Sequence, residues 1–384
     1  MTVTFFSNFF NHHQKPLGDE LYHLLGDNYT FVATIPMPDS FSKSGYTDFS
    51  DTPYLLASYQ NEENHKKAIQ LGLESDVVVI GAASLQFIKE RLKKNKLTFR
   101  YAERMFKKSN WQKLNPRAII NQYKKHTVYR DKNVHMLCAS AYTANDLKWI
   151  MAYPNKMYKW GYFTKTTEID IQQLITAKKN KPFSIIFVAR LIDWKHPEIA
   201  IELAKLLKEK KYDFELNIIG SGVMENSLHT MINDFNLGDC VHMLGNIANE
   251  QVLQLMQTSH AFFFSSDRNE GWGAVANEAM ANGCTLVASH EIGAIPYLVE
   301  PNENGMVFKS GNINDAFNKM ERLLKDRDYC DQLAVNAYQT ITSTWSPKTA
   351  ASNFLNLCAN NSHSAIKKGP CSIAETTSSN WFKK

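Results

Sequence analysis

At 384 residues, 44% of them hydrophobic and 21% charged, the chain has the composition of a soluble globular protein with room for two domains, and no apolar run approaches the length of a bilayer span. Its six cysteines, at 138, 240, 284, 330, 358 and 371, stand at neither metal nor disulfide spacing, which excludes a disulfide scaffold and fits a reduced, cytoplasmic protein. The net charge of +5 is uneven: residues 89–132 carry 15 Lys and Arg against Glu90, Glu103 and Asp131, so the remainder is net negative.

The first ten residues, MTVTFFSNFF, lack a basic leader region and read as a first strand over Val3–Phe6, not as a signal peptide. Further apolar strands are expected at Tyr29–Ile35, Asp76–Ile80 and Val134–Ala139, with helical periodicity at Glu62–Gly72 and Ser84–Lys94. Such alternation predicts a parallel sheet with crossover helices. His12 and His13 follow the first strand and are expected exposed at its end; the pair is either structural or part of an acceptor or phosphate site. The basic run 89–132 is interleaved with Phe99, Tyr101, Phe106, Trp111, Tyr123 and Tyr129, and a helix is expected over Asn115–Tyr129. Three surfaces fit it: a solvated helical face, a nucleic-acid surface, or one that meets anionic lipid headgroups.

From Thr164 to Pro182 the pattern lapses into the polar, lysine-rich TKTTEIDIQQLITAKKNKP, read as a linker over 165–182. A second alternating series then begins, with strands at Phe183–Ala189, Phe214–Ile219, Val241–Leu244, Ala261–Phe264 and Thr285–Ala288. Helices are expected at Pro197–Lys210 and Glu225–Phe235, and three more close the chain at Asn314–Lys325, Tyr329–Thr340 and Pro347–Ala359. The tail from Asn360 is expected loose or lightly docked. Two doubly wound domains predict ligands at the carboxyl ends of the strands.

The second series concentrates chemistry at those ends. Arg190 and Lys195, in FVARLIDWKHP, supply two cations able to neutralise a diphosphate leaving group. Gly220 and Gly222 make a tight turn in IIGSGVMENSL, and Gly245 with Asn246 follows the next strand in LGNIANEQ, a loop whose backbone can read a base edge. In RNEGWGAVANEAMANG, Glu270 precedes Gly271-Trp272-Gly273-Ala274, and Glu278 lies two turns into the following helix. The glycines bring backbone amides close to an anion. The two carboxylates cannot bind that anion, so they are expected to meet hydroxyls on either side of it. A complete dinucleotide fingerprint is absent, because GSG lacks the third glycine. Asp326-Arg327-Asp328 spells a D-x-D but falls between C-terminal helices, where helix capping is the expected role.

Arg190 with Lys195, the Gly-Ser-Gly turn, the Leu-Gly loop, EGWGAVANE and the downstream VASHEIGAIPYLVEPNENGMVF occur in the order that resembles the donor half of a retaining family 4 glycosyltransferase. The resemblance covers residues 183 to about 310. It implies an α/β GT-B fold: two Rossmann-like doubly wound domains facing a cleft, with a C-terminal helix crossing back to the first. The domains would be 1–164, completed by about 346–384, and 183–345, with Trp345 an anchor at the crossing.

The resemblance further implies that Glu270 binds the transferred sugar and Glu278 the nucleotide ribose. Arg190, Lys195 and the amides of Gly271 to Ala274 would then meet the diphosphate. Trp272 is read as donor-binding or as packing. On the acceptor or phosphate side the chain lacks the family's paired glycines after the first strand and keeps Gly18; His12, His13, Glu103 and Arg104 are candidates there. The expected donor is a nucleotide diphosphate sugar, UDP-linked by family tendency, with no cofactor and no metal. The expected acceptor is a glycan or lipid-linked glycan for surface polysaccharide or glycolipid. The basic run would then meet an anionic membrane surface and not nucleic acid. Phe106, Trp111 and Tyr123 would sit at headgroup level, making the protein peripheral on the inner face of the cytoplasmic membrane. A non-catalytic nucleotide-sugar-binding subunit and a sugar-nucleotide epimerase on the same scaffold remain as alternatives.

Overall fold

The computed structural model describes residues 1–38, 49–166, 168–360 and 366–383, apart from the side chains of Asn110 and Asn360. The chain divides into two compact units, Met1–Lys165 with Trp345–Thr377, and Thr166–Thr344 with Ser378–Lys384.

In the first unit, β1 (Val3–Ser7), β2 (Tyr29–Ala33), β3 (Leu55–Ala57), β4 (Val77–Ile80), β5 (Thr98–Ala102), β6 (Val134–Cys138) and β7 (Met157–Lys159) form one sheet in the order 3-2-1-4-5-6-7. Every pairing is parallel; Val3 faces Tyr29 on one side and Val77 on the other. Parallel strands covered on both faces read as continuous apolar runs, which is why VTFF and VVVI are buried along their length. Arg91 is also buried, its guanidinium donating to the carbonyl oxygens of Ser75 at 2.6 Å and Asp76 at 2.8 Å. The helix Pro347–Asn360 belongs to this unit and packs on the helix Lys15–Leu25. Trp345 is buried with its ring stacked 6.4 Å from Phe163.

The second unit repeats the plan. Its strands β8 (Phe183–Val188), β9 (Phe214–Ile219), β10 (Val241–Gly245), β11 (Ala261–Phe264), β12 (Thr285–Ser289) and β13 (Met306–Phe308) lie in the order 10-9-8-11-12-13, all parallel. The order reverses between β8 and β11, the place where doubly wound sheets open a crevice for ligands.

Two sequence expectations change and a third is narrowed. The stretch read as a linker contains a helix, Ile171–Lys178, that belongs to the second unit. It is held there by buried Lys178, whose ammonium donates to the carbonyl oxygens of Ser259 at 2.6 Å and Gly283 at 2.8 Å. The tail, expected loose or lightly docked, takes the docked form: beyond residues 361–365, which lie outside the described residues, Ile373 bridges to Tyr158 and Phe382 lies 4.5 Å from the His290 ring. The helix expected over Asn115–Tyr129 stops at Lys125, and a 3-10 turn takes Thr127–Tyr129. No described helix is long and apolar enough to cross a membrane.

Candidate active site

At the reversal point of the second unit, the loop after β8 carries Arg190, Trp194, Lys195 and His196, and the loop after β11 carries Ser265 to Ala274. Lys195 forms a salt bridge with buried Glu270, and its ammonium also lies 4.4 Å from the Trp194 ring. Arg190 is exposed, its guanidinium 5.9 Å from the same ring. The sequence separates Lys195 and Glu270 by 75 positions; the parallel order of β8 and β11 joins them.

The glycines divide between ligand access and packing. Gly220 has φ +133° and N–H to Gly245 O at 2.9 Å; a Cβ there would stand 1.9 Å from the Ala189 carbonyl oxygen. A Cβ at Gly222 would stand 2.3 Å from the Leu191 carbonyl oxygen, so this turn is built by close packing of the β8 and β9 loops. Asn246 is exposed and donates to Ser221 Oγ at 2.7 Å. Gly271, Gly273 and Ala274 form the mouth of the helix Val275–Ala281. The next block braces this mouth, with Gly293 N–H donating to Glu270 O at 3.3 Å and Ala294 N–H to Trp272 O at 3.0 Å.

Trp272 is a correction to the donor-binding reading. The residue is 1% exposed and its indole N–H donates to Asn277 Oδ1 at 2.9 Å, so the ring is core. Glu278 is partly buried, and burial lifts its carboxyl to about 7; contact with hydroxyls suits such a group better than contact with a phosphate. Asp326 caps the helix Arg327–Gln339 by accepting from Tyr329 N–H at 2.9 Å, while Asp328 is exposed.

In the first unit the candidates gather after β1 but less openly than expected. His13 is not exposed. Burial, with His12 beside it, pushes its imidazole down to about 3, and the two rings lie 3.8 Å apart. His12 is lowered as well, by burial. His13, Gln14, Tyr29, Tyr101, Trp160 and Tyr162 line a small cavity of about 20 Å³. Gly18 does not serve a phosphate loop: it is buried inside the helix Lys15–Leu25, and a Cβ there would meet the Tyr54 hydroxyl at 2.7 Å. Glu103 is held by Tyr162 O–H at 2.8 Å and Lys107 Nζ at 2.5 Å, and Arg104 is buried with its guanidinium 4.5 Å from the Tyr142 ring.

With this geometry in view, residues 168–340 match the family described as Glycosyl transferases group 1. The second unit belongs to that family. The chain is 35% identical to the amylovoran biosynthesis glycosyltransferase AmsK of Erwinia amylovora over 138 residues, 35% of this chain and 34% of that protein. It is 25% identical to the poly(ribitol-phosphate) alpha-N-acetylglucosaminyltransferase of Staphylococcus aureus over 170 residues, 44% of this chain and 34% of that one. The matched stretch thus spans about a third of each relative. At the level of fold, Anabaena HepE, solved with UDP and glucose, superposes with a TM-score of 0.65 at 15% identity, covering 94% of this chain and 100% of that one. The fold is that of the GT-B glycosyltransferases.

Within this group 1 unit, sequence reading missed His196, which sits directly after Lys195 and contacts Glu198 and Asp267. The available signal was His-Pro at the helix start with an acidic residue three positions before Glu270. In the basic run it misplaced Phe106, which is core. Several cations there are structural: Arg91 and Arg104 are buried, Lys113 pairs with buried Asp146 at 3.0 Å, and Arg100 donates to Tyr153 Oη at 3.0 Å.

Proposed function

We propose that the protein is a retaining glycosyltransferase that moves a sugar from a nucleotide diphosphate sugar, UDP-linked by preference, to a glycan or lipid-linked glycan acceptor in surface polysaccharide or glycolipid biosynthesis. The observation that carries this is the Lys195–Glu270 pair at the β8/β11 reversal of a group 1 unit. In the transfer, the sugar C1–O bond to the diphosphate breaks and the acceptor oxygen bonds to C1 on the same face. The acceptor proton leaves with the diphosphate. Lys195 and Arg190 neutralise the departing charge together with the amides around Gly271 to Ala274. Glu270 orients the sugar, and Glu278 holds ribose hydroxyls. The two cations supply the charge a metal would otherwise bring, so turnover requires no metal. The names of AmsK and the ribitol-phosphate enzyme favour a cell-surface polymer as the product class, and HepE, crystallised with UDP, favours the uridine donor.

The protein is further proposed to work at the inner face of the cytoplasmic membrane. None of the described side chains of the helix Pro116–Lys125 is buried, and Trp111, Leu114, Ile120 and Tyr123 around it are exposed beside Lys108, Arg117, Lys124 and Lys125. Apolar side chains among cations suit the headgroup boundary of an anionic bilayer.

The donor reading is tested by assaying nucleotide release from a panel of nucleotide sugars with EDTA present. Glu270→Gln keeps the size of the side chain and is expected to lower turnover by roughly 10²-fold while UDP still binds by calorimetry. Unchanged turnover in that variant removes Glu270 from the mechanism, and a requirement for metal removes the two-cation account.

A further inference from the structure

The loop after β8 contains a residue in a conformation its side chain disfavours. His196 has φ +51° and ψ +52°, the left-handed region where a Cβ crowds the backbone and glycine is the usual occupant. It stands at the cap position of the helix Pro197–Glu209, yet its side chain makes no capping hydrogen bond. The imidazole is used elsewhere. Nδ1 lies 2.8 Å from Glu198 Oε1, and Nε2 lies 3.6 Å from Asp267 Oδ2.

Asp267 is itself fixed. Its Oδ1 accepts from Asn269 N–H at 2.7 Å, and its own N–H donates to Trp194 O at 3.1 Å. Ser265 Oγ lies 2.9 Å from Lys195 O and 2.8 Å from His196 O. Three separate ties therefore join residues 194–196 to residues 265–267, and Glu270 follows directly, its N–H bonded to Asp267 O at 3.1 Å. The imidazole is the one side chain of the β8 loop that reaches the Asp267 carboxylate in this set.

We propose that His196 is a positioning residue: clamped between Glu198 and Asp267, it holds the two loops in the register that sets Lys195 against Glu270, and so prepares the donor site. This deepens the glycosyl-transfer reading and rests on it for its catalytic consequence. The carboxylates on both ring nitrogens keep the imidazole charged, with the Asp267 contact the larger cause, and its pKa is pushed up to about 10. A charged imidazole, hydrogen-bonded to one carboxylate and ion-paired with the other, is what a bridge between two acidic groups needs. A backbone that disfavours histidine is retained where the side chain has such a role.

The test separates the bridge from the fold. His196→Gly removes the imidazole and relieves the backbone; that relief offsets part of the lost ion pairing, and only a modest change in melting temperature is expected. Asp267→Asn leaves the backbone at 196 untouched and breaks the bridge from its other side. Two readouts are taken on each variant: the rate at which an amine-acetylating reagent labels Lys195, followed by mass spectrometry, and UDP affinity by calorimetry. Labelling is expected to speed up about tenfold and UDP affinity to fall about tenfold in each variant. The double variant should lose no more than either single one, as expected of groups that act as a unit. With a UDP-sugar the loss should appear in donor KM and kcat together. Labelling rates equal to wild type in both variants overturn the proposal, whatever UDP does. Faster labelling in a protein whose wild type binds no nucleotide leaves the bridge standing and overturns the donor reading instead.

Discussion

The two units share a strand order and differ in how they hold their candidate groups. In the second, the loops after β8 and β11 present opposite charges already paired: Lys195 with Glu270, and His196 with Glu198 and Asp267. In the first, the loop after β1 presents two histidines kept neutral by burial, beside a small cavity rimmed by Tyr29, Tyr101 and Trp160. Under the proposed transfer, fixed charge suits a part whose task would be constant, the neutralising of a diphosphate. Neutral aromatic surroundings suit a part whose specificity lies in shape and apolar contact. One fold thus carries an electrostatic device and a steric one at equivalent strand ends.

The largest effect that tests this contrast is on the tight loops. Gly220→Ala puts a Cβ 1.9 Å from a carbonyl oxygen at φ +133°, and it is expected to destabilise the second unit by roughly 3 kcal/mol or more. Gly18→Ala in the first unit meets only the Tyr54 side chain, 2.7 Å from its hydroxyl. There the clash is partly offset by the helix preference for alanine of about 1 kcal/mol, so a far smaller loss is expected. Calorimetric melting of the two variants checks this. Equal melting temperatures would mean that the close apposition of the β8 and β9 loops is not what fixes the donor side.

A smaller effect is expected on pH dependence. His13 and His126 in the first unit are both held down to about 3, by burial first and second by a neighbour, the His12 imidazole for His13 and the Arg100 and Lys125 cations for His126. Their unfolded forms take up protons as the pH falls below about 6.5, whereas the folded forms do not until near 3. Stability is therefore intact above 6.5 and lost as the pH falls. For buried His126 the slope approaches about 1.4 kcal/mol per pH unit. His260 in the second unit, at about 4, has the same sign. His196 has the opposite sign: raised to about 10, its contribution is complete below 6.5 and fades as the pH climbs toward 10. Calorimetry from pH 7 to 4.5 should show a first-unit transition that falls more steeply than the second, and His126→Gln should flatten it. A first-unit transition indifferent to acid would remove the neutral-histidine side of the contrast.

What the chain disclosed in advance follows the same division. Strands such as Ala261–Phe264 were legible because burial on both faces leaves a continuous apolar run. Lys195 and Glu270 were legible as a motif, but their pairing came from strand order, which no local pattern contains. Single residues whose meaning depends on facing misled: Gly18 supports packing, and Trp272 and Phe106 are core. The helix expected through Tyr129 ends because His126 leaves helical geometry, φ −128°, and turns its Nδ1 to 3.2 Å from Tyr153 Oη. Polar residues drawn inward by one long-range partner are invisible to periodicity.

The smallest effect on stability falls in the basic run, where a large effect on binding is expected. Trp111 is 79% exposed, and Tyr123 is exposed on the helix Pro116–Lys125. A ring that touches little contributes little to folding, so Trp111→Ala and Tyr123→Ala should change stability by less than about 0.5 kcal/mol. If these rings meet the boundary of an anionic bilayer, the same variants should co-sediment less with phosphatidylglycerol vesicles at low salt. Charge reversal at Lys108, Lys124 and Lys125, each exposed, should weaken that binding further, since each cation near such a surface contributes about 1 kcal/mol. Phe106, buried at the core, supplies the contrast: its truncation should cost roughly 3 kcal/mol in stability. A wild-type protein that ignores anionic vesicles at low salt, or a Trp111→Ala variant that unfolds, overturns the membrane reading. In the second case the ring would be packing, and the exposed face would be one more solvated helix surface.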